Sequence, residues 1–371
     1  MRTPSAAVVT RRQALQQLGL TAVGLGVAAC APAATPTRPT GPASAAAPSP
    51  APAARQVANV RIALPVKTLS FAPVFIADAM KYFEQEAIDA DLQVMQGNAI
   101  TIAALLGGDV QFHVWGANDV FTAVERDLSL LTVAGLTRQF TTSIAGRAEF
   151  LQERGITAQS SLKAKLDALK DARVGVNSIA AIQTQALKYM LGKQGLDPSS
   201  DVDFVAVGAG GPMNAALRRG HVDAVIAATP FPEMAEREGL ATIFLRLADE
   251  VPVFKNWAAG TLAGQRQWIE SNADVTQRVC RAIGRACNLL TSDWQASSAA
   301  LKSAFSETEP ELVELAIGSM KGAFSADARM TEEQWSNAAE VFRFAGVMDT
   351  VPPLAEGTFW TNRYLAGGPR A

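Results

Sequence analysis

The chain contains one stretch twice. Residues 103–128, AALLGGDVQFHVWGANDVFTAVERDL, lie without a gap over residues 215–240, AALRRGHVDAVIAATPFPEMAEREGL. Ala103/Ala215, Ala104/Ala216, Leu105/Leu217, Gly108/Gly220, Val110/Val222, Ala123/Ala235 and Leu128/Leu240 coincide, and most other pairs keep their polarity. Each copy reads as helix end, glycine turn, buried strand, loop, helix. Gly108 and Gly220 suit the left-handed position that closes a helix, and the short apolar runs 110–114 and 222–227 suit strands covered on both faces. Two unrelated helix–turn–strand units would share that much, but the correspondence extends outward. VRIAL (60–64) and ARVGV (172–176) each lead into a helix-like segment, and ADLQVM (90–95) and VDFVAV (202–207) follow in the same place. Both halves therefore read strand, helix, strand, helix, strand, a pattern that favours parallel sheets with right-handed crossovers. The expected fold class is α/β, with two Rossmann-like lobes and a ligand cleft between them at the carboxyl ends of the strands.

The first 55 residues read differently. Arg11 and Arg12 precede an apolar run at 18–29, of signal-peptide length and short for a membrane span. Residues 1–29 are thus an expected export signal; the adjacent arginines point to the twin-arginine route, although Ala14 stands where that signal usually has a large apolar residue. Val27-Ala28-Ala29-Cys30 resembles a lipobox, in which the cysteine is diacylated and becomes the mature N-terminus; a plain small-residue cleavage site beside a chance cysteine is the alternative. Two acyl chains on Cys30 make a stable membrane anchor. Residues 30–55 then form a tether of Ala, Pro, Thr, Ser and Gly that cannot bury a core. Beyond it, residues 56–140 are expected to be the first part of lobe 1, 141–253 lobe 2, and 254–371 the return to lobe 1 with C-terminal helices covering it. The β-rich segments 137–147 and 254–264 carry the chain across and back, a two-crossing hinge that can bend without unfolding either core. Thr331-Glu332-Glu333-Gln334 matches a capping box, and the tail 351–365 ends in aromatic residues expected to pack on lobe 1.

Composition narrows the function. Net charge is −2 and there is no basic block, which argues against a nucleic-acid partner. No zinc-ligand spacing, G-x-S-x-G, Walker A or dinucleotide fingerprint occurs, so neither a metal nor a cofactor is expected and no residue is assigned a catalytic role. Cys280 and Cys287 sit seven apart on one helix, roughly 10.5 Å between Cα atoms and beyond disulfide reach; buried thiols are expected. Of the two histidines, His221 follows a turn glycine and reads as surface, while His113 lies inside FHVW and points either into the cleft or into the core. The candidate ligand-binding residues follow the strand ends. In lobe 1 they are Lys67, Ser70 and Phe71 after the first strand and Trp115, Asn118 and Asp119 after the third. In the crossing they are Arg138 and Phe140. In lobe 2 they are Asn177 and Ser178, read as standing before a helix start, with Gly210, Thr229 and Phe231. The aromatic members are as readily core as stacking platforms.

FAPVFIADAMKYFEQEAIDADLQVMQG followed by AALLGGDVQFHVWG resembles the N-terminal lobe of the nitrate/sulfonate/taurine-type substrate-binding proteins of ABC importers. Ala72-Pro73, Ala77, Tyr82-Phe83 and Leu106-x-Gly108-x-Val110 stand at that family's recurrent positions. LDALKDARVGV, LGKQGLDPSSDVDFVAVG and AALRRGHVDAVI are similar to its second-lobe motifs, so the resemblance covers residues 57–365. Ala87 departs from a usual glycine, and Gln111 replaces the acid that Asp223 keeps in the second copy. The resemblance implies the type II periplasmic binding protein fold, hinge closure, a monomer, and delivery of a small ligand to ABC permease and ATPase subunits at the periplasmic or extracellular face of the membrane. The superfamily also holds enzymes of pyrimidine and menaquinone precursor biosynthesis, which are the alternative. The pyrimidine-synthesis enzymes need a cofactor lysine, a nearby histidine and a cysteine cluster; Lys67 is in place, but neither of the others is. Two ligand classes stay open: a sulfonate or carboxylate on Lys67, Arg138 and the Asn177–Ser178 helix start, or a neutral or aromatic heterocycle on Trp115, Phe140 and Asp119.

Overall fold

The computed structural model describes residues 56–95 and 97–365; the expected export signal, Cys30 and the expected tether lie outside the described residues. Among the described residues, ten strands form two five-stranded sheets: β1 (Ala58–Leu64), β2 (Ile88–Val94), β3 (Phe112–Trp115), β4 (Leu130–Thr137), β5 (Thr142–Gly146), β6 (Arg173–Val176), β7 (Asp203–Ala206), β8 (Ala224–Ala228), β9 (Thr242–Arg246) and β10 (Gly260–Gln265). The strand orders are β2-β1-β3-β10-β4 in lobe 1 and β7-β6-β8-β5-β9 in lobe 2. The repeat is therefore real at the level of topology: β3 and β8, the strands of the duplicated stretch, hold the central place in their sheets. Gly108 and Gly220 have φ of 81° and 65°, the left-handed conformation expected of the turns that precede those strands.

The sheets are mixed rather than wholly parallel. β1–β2 and β1–β3 pair in parallel, as do β6–β7 and β6–β8, but β10 runs antiparallel between β3 and β4, and β5 antiparallel between β8 and β9. The two crossing segments do not simply connect lobes. Each ends as a strand inserted between the central strand and an edge strand of the sheet it enters, which hides that strand on both sides; all five residues of β5 are buried. The crossings also bond to each other, the Phe140 N–H to the Phe254 carbonyl at 2.9 Å and the Trp257 N–H to the Arg138 carbonyl at 2.8 Å.

Helices cover both faces of each sheet. The long helix Ala273–Ser292 and its neighbour Trp294–Ala304 pack on helix Ala72–Ala79, placing Ile283 and Leu301 in one core with Ile62, Phe75 and Val133. Cys280 and Cys287 are buried, unbridged thiols in that core. The last two helices differ from the expectation that all of them cover lobe 1. Helix Pro310–Ser319 meets helix Phe231–Arg237 of lobe 2, and helix Glu332–Phe344 packs on both Ile182–Lys193 and Ala117–Glu125. The reason is the second core, which runs from Ile144, Val174 and Leu187 through Phe140, Phe254 and Trp257 to Phe121, Trp335 and Phe342. That aromatic seam leaves the hinge apolar, and helix Glu332–Phe344 covers it. Thr331 opens this helix with the expected reciprocal cap: its hydroxyl accepts from the Gln334 N–H, and its own N–H donates to Gln334 Oε1. The tail then returns along β4. The Thr132 N–H donates to the Phe359 carbonyl and the Thr361 N–H to the Thr132 carbonyl, which pairs part of an otherwise open sheet edge.

Candidate functional site

Five strand ends converge on one hollow. Pro65 and Val66 follow β1, Gly97 and Asn98 follow β2, and Trp115 and Gly116 end β3; from lobe 2, Asn177 follows β6 and Ala228 ends β8. Together with residues 139–142 and Trp257 and Ala259 of the crossings they enclose about 500 Å³. The helices Asn98–Gly107, Ala117–Glu125 and Ile182–Lys193 begin at this wall, at N-caps Gly97, Gly116 and Ala181, none of which supplies a capping side chain. Their first N–H groups and dipoles thus face the hollow as donors. Gly116 lets the chain pass close there: a Cβ would stand 2.9 Å from Asn118 Oδ1 and 3.2 Å from the Ala259 carbonyl, so both would have to give way.

Asp119 is the only ionisable side chain among the described residues lining the cavity. Asn98 Nδ2 donates to its Oδ1 at 2.8 Å and the Gly116 N–H to its Oδ2 at 3.4 Å. Burial pushes the carboxyl up to about 6, against the lowering effect of those two hydrogen bonds. The rest of the lining mixes aromatic side chains with hydroxyl and amide groups such as Ser70, Asn118, Gln139 and Gln183. Phe71, Trp115, Phe140 and Trp257 all line the space, with Phe140 and Trp257 centroids 5.3 Å apart. The indole N–H of Trp115 is buried with no protein partner. His113 does not reach the cavity. It lies behind Trp115, the rings edge-on at 5.3 Å, with Nε2 2.9 Å from the Thr101 hydroxyl. Burial alone drives its pKa down to about 3, so the ring is neutral.

Seven of the thirteen candidate residues meet here: Ser70, Phe71, Trp115, Asn118, Asp119, Phe140 and Asn177. The others do not. Lys67 turns away to Glu307, 2.5 Å from its carboxylate, and lies over the Phe305 ring, because the carboxylate and ring offer it partners outside the cavity. Arg138 is exposed, with only its backbone in the hinge pairing. Asn177 and Ser178 are not the cap of the following helix, which starts at Ile182; the Ser178 carbonyl accepts instead from the Thr184 hydroxyl. Gly210 and Phe231 pack on each other, a Cβ at Gly210 falling 3.2 Å from the ring, and Thr229 faces a neighbouring recess. Sequence reading missed Asn98, Gln139, Gln183 and Trp257. Asn98 follows the edge strand β2, at the place in lobe 1 that the loop carrying Gly210 holds after β7 in lobe 2, so the repeat itself marks it.

A family model matches residues 53–303, and its description is the NMT1-like family. The chain belongs to that family. A curated relative of this NMT1-like chain is YtlA of Bacillus subtilis, named only as a candidate binding protein; it is 21% identical over 293 residues, covering 75% of this chain and 81% of YtlA. The alkanesulfonate-binding protein SsuA from Xanthomonas axonopodis pv. citri, solved bound to MOPS, is 17% identical, with a TM-score of 0.58 over 81% of this chain and 97% of that one. The desulfurization enzyme DszB superposes equally well, at 13% identity and a TM-score of 0.58 over 80% of this chain and 95% of that one. These likenesses share the periplasmic binding protein fold, and the sulfonate-binding neighbours match the nitrate/sulfonate/taurine type that the motifs resemble.

Proposed function

We propose that this chain is an extracytoplasmic solute-binding protein that captures a small planar heterocycle between its lobes and passes it, unchanged, to an ABC importer. The observation that carries the reading is the cavity: two sheets present their strand ends to one space with four aromatic side chains in its lining, and Asp119 is the single ionisable group among the described lining residues. A sulfonate or nitrate would find the N–H groups of the helix starts but no cationic side chain among the described lining residues, since Lys67 and Arg138 are elsewhere, and would face the Asp119 carboxylate. A ring bearing an N–H or amino donor offers Asp119 a partner, and its faces can stack on Phe71 or Phe140. The Cys30 lipidation and the tether, read from sequence, keep such a domain at the outer membrane face, where a monomer working beside a permease belongs. Binding without turnover is part of the reading: the described lining holds no histidine, lysine or cysteine, and Asp119 is bonded to an amide rather than to a nucleophile.

A thermal-shift panel on the purified chain tests this, with aminopyrimidines and indoles beside taurine, alkanesulfonates, carboxylates and nitrate. A ligand that binds only the folded state at about 100 times its Kd adds roughly 2.7 kcal/mol. Heterocycles should raise the melting temperature and be recovered chemically unchanged. Stabilisation by sulfonates or nitrate alone rejects the ring reading, and a product formed in proportion to protein rejects the binding-only reading.

A further inference from the structure

The buried histidine and the cavity acid are joined by a row of hydrogen bonds. His113 Nε2 lies 2.9 Å from the Thr101 hydroxyl. That hydroxyl is 3.0 Å from the Asn98 carbonyl and 3.2 Å from the Gly97 carbonyl, and its proton points to them. Asn98 Nδ2 in turn donates to Asp119 Oδ1 at 2.8 Å. A hydroxyl has one proton to give. Thr101 gives it to the backbone, so its oxygen accepts from the ring, and Nε2 of the neutral His113 carries the ring proton. Nδ1 is then a bare acceptor, and it is the ring nitrogen without a partner among the described residues. His113 and Thr101 are both fully buried, which keeps water from competing for these bonds. On its other side the turn is tied to the end of β1, the Gly97 N–H donating to the Pro65 carbonyl at 2.8 Å. Asn98 is thus held from β1 on one side and from β3 on the other.

The effect falls on Asp119. The Asn98 amide commits Oδ1 as an acceptor, while Oδ2 holds only the long 3.4 Å contact with the Gly116 N–H and keeps capacity for a second donor. No charged side chain among the described cavity residues shares this work. Helix Asn98–Gly107 and β4 carry no charge, and helix Ala117–Glu125 adds only Glu125, two turns further on. Helix Glu332–Phe344, packed on the latter, carries Glu332, Glu333, Glu340 and Arg343; Asn256 bonds Glu333, and Tyr189 and Lys193 hold Glu340. Burial alone raises the Asp119 carboxyl, and the Gly116 and Asn98 bonds are what oppose it. We propose that Asn98 is the positioning residue of the site: seated from behind by Thr101 and His113, it fixes Asp119 as an acceptor and leaves Oδ2 for a donor on the ligand. Its bearing on affinity rests on the reading of the cavity as a ring site.

The experiment is a carbon-13 NMR titration of the Asp119 carboxyl in the purified, ligand-free chain, its resonance identified by its loss in Asp119→Asn. The parent midpoint should lie at about 6. Asn98→Ala should raise it by about one pH unit or more, the effect of losing a hydrogen bond to a charged group. Asn98→Asp should also raise it, because two carboxyls in contact do not both ionise, and it decides the matter where Asn98→Ala does not fold. Nitrogen-15 spectra of the parent test the row behind Asn98, His113 and His221 being the only histidines of the chain. His113 should be protonated at Nε2 and bare at Nδ1. A midpoint unmoved in a folded Asn98 variant overturns the proposal, and a His113 ring protonated at Nδ1 overturns the seating. Indole, whose N–H donor does not titrate in this range, is the binding probe: the pH at which its affinity has halved should rise with the carboxyl midpoint. Where the midpoint moves but indole does not bind, or binds without regard to pH, the ring reading fails alone. Where indole affinity follows the Asp119 proton and Asn98→Ala leaves the midpoint in place, the positioning role fails alone.

Discussion

Gln111 and Asp223 occupy the same place in the two copies of the repeat and make the same contact. Each side-chain oxygen accepts the N–H of a residue on the neighbouring strand at 2.9 Å, Arg61 for Gln111 and Arg173 for Asp223. The backbones agree as well: the Gln111 N–H donates to the Arg61 carbonyl and the Asp223 N–H to the Arg173 carbonyl. The departure from the usual acid is therefore a change of charge within a conserved geometry. It couples the glycine turn before β3 or β8 to the strand beside it.

The two positions should nonetheless differ in energy. Asp223 also binds the Arg173 guanidinium at 2.5 and 3.0 Å; burial works to raise its pKa, and the Arg173 hydrogen bonds more than offset that and hold it below the ordinary carboxylate value. Gln111→Ala should cost about 0.5–1.5 kcal/mol and Asp223→Ala about 1–3 kcal/mol, the ranges for a net hydrogen bond and for a stranded part-buried donor. A depressed carboxylate stabilises above its unfolded pKa and loses that contribution as pH falls through the folded one. Asp223→Asn should thus soften acid unfolding below about pH 4, while Gln111 variants keep the wild-type profile. Denaturant titrations across that range measure both, and an unchanged acid limb in Asp223→Asn contradicts the assignment.

His113 and Asp119 should pull stability in opposite directions with pH. His113 is held down near 3, so the unfolded chain takes up its proton first and stability falls as pH drops from about 6.5. Asp119 is raised to about 6, so the folded chain takes up its proton first and stability rises as pH drops from 6 toward 4. Each slope is at most about 1.4 kcal/mol per pH unit, and between pH 4 and 6 they offset. Asp119→Asn should expose the His113 decline in this window, and His113→Asn should expose the opposite rise. Denaturation midpoints at half-unit steps decide it; three parallel profiles would mean neither group is buried as described.

The same carboxylate makes binding depend on pH. Above pH 6 Asp119 is an acceptor without a proton, and below it half or more of the acceptor is lost. Affinity for a neutral N–H heterocycle should therefore weaken as pH falls from 7 to 5, and Asp119→Asn should remove the dependence. Asn177→Ala, at an exposed position of the lobe 2 wall, should weaken binding by about 1–3 kcal/mol if it meets the ligand, with the ligand-free melting point nearly unchanged. Titration calorimetry of both variants at two pH values is the check. A pH-independent affinity in the wild-type chain removes Asp119 from the contact set.

Much of this architecture was legible because side-chain period and glycine turns are local properties. Gly108 and Gly220, the apolar runs of β3 and β8, and the Thr331 cap all follow from a few neighbouring residues. What was not legible is what depends on distant partners. Nothing near β5 or β10 in sequence says that a crossing segment will enter a sheet between two strands formed long before or after it. Lys67 looked like a cleft cation because its strand end is in the right place, but its direction is set by Glu307 and Phe305, some 240 residues away in the chain. Asn177 and Ser178 looked like a helix cap because caps and polar loop residues share a composition; the turn from Ser178 to Ala181 delays the helix to Ile182.

The helix Glu332–Phe344 touches both lobes. On one side Trp335 packs edge-on against Phe121 of lobe 1, centroids 6.1 Å apart. On the other, Glu340 accepts from the Tyr189 hydroxyl at 2.8 Å and pairs with Lys193 at 2.8 Å, both on a lobe 2 helix. Lys193 first, and then Tyr189, hold the Glu340 carboxyl below its ordinary range, so this tie is present above about pH 4.5 and is lost as pH falls through the lowered value. The contact is partly exposed, and its worth to global stability is modest, about 1 kcal/mol. Its effect on lobe motion should be larger, because the clamp restrains one rigid body against another at the hinge. Glu340→Ala should therefore enlarge the ligand-free radius of gyration in X-ray scattering and increase the compaction seen on adding a ligand. Tyr189→Phe, which keeps the ring packing and the Lys193 pair, should give a smaller change in the same direction. A Glu340→Ala protein that is destabilised yet scatters like the parent, with and without ligand, would show that this helix covers the aromatic seam without restraining the lobes.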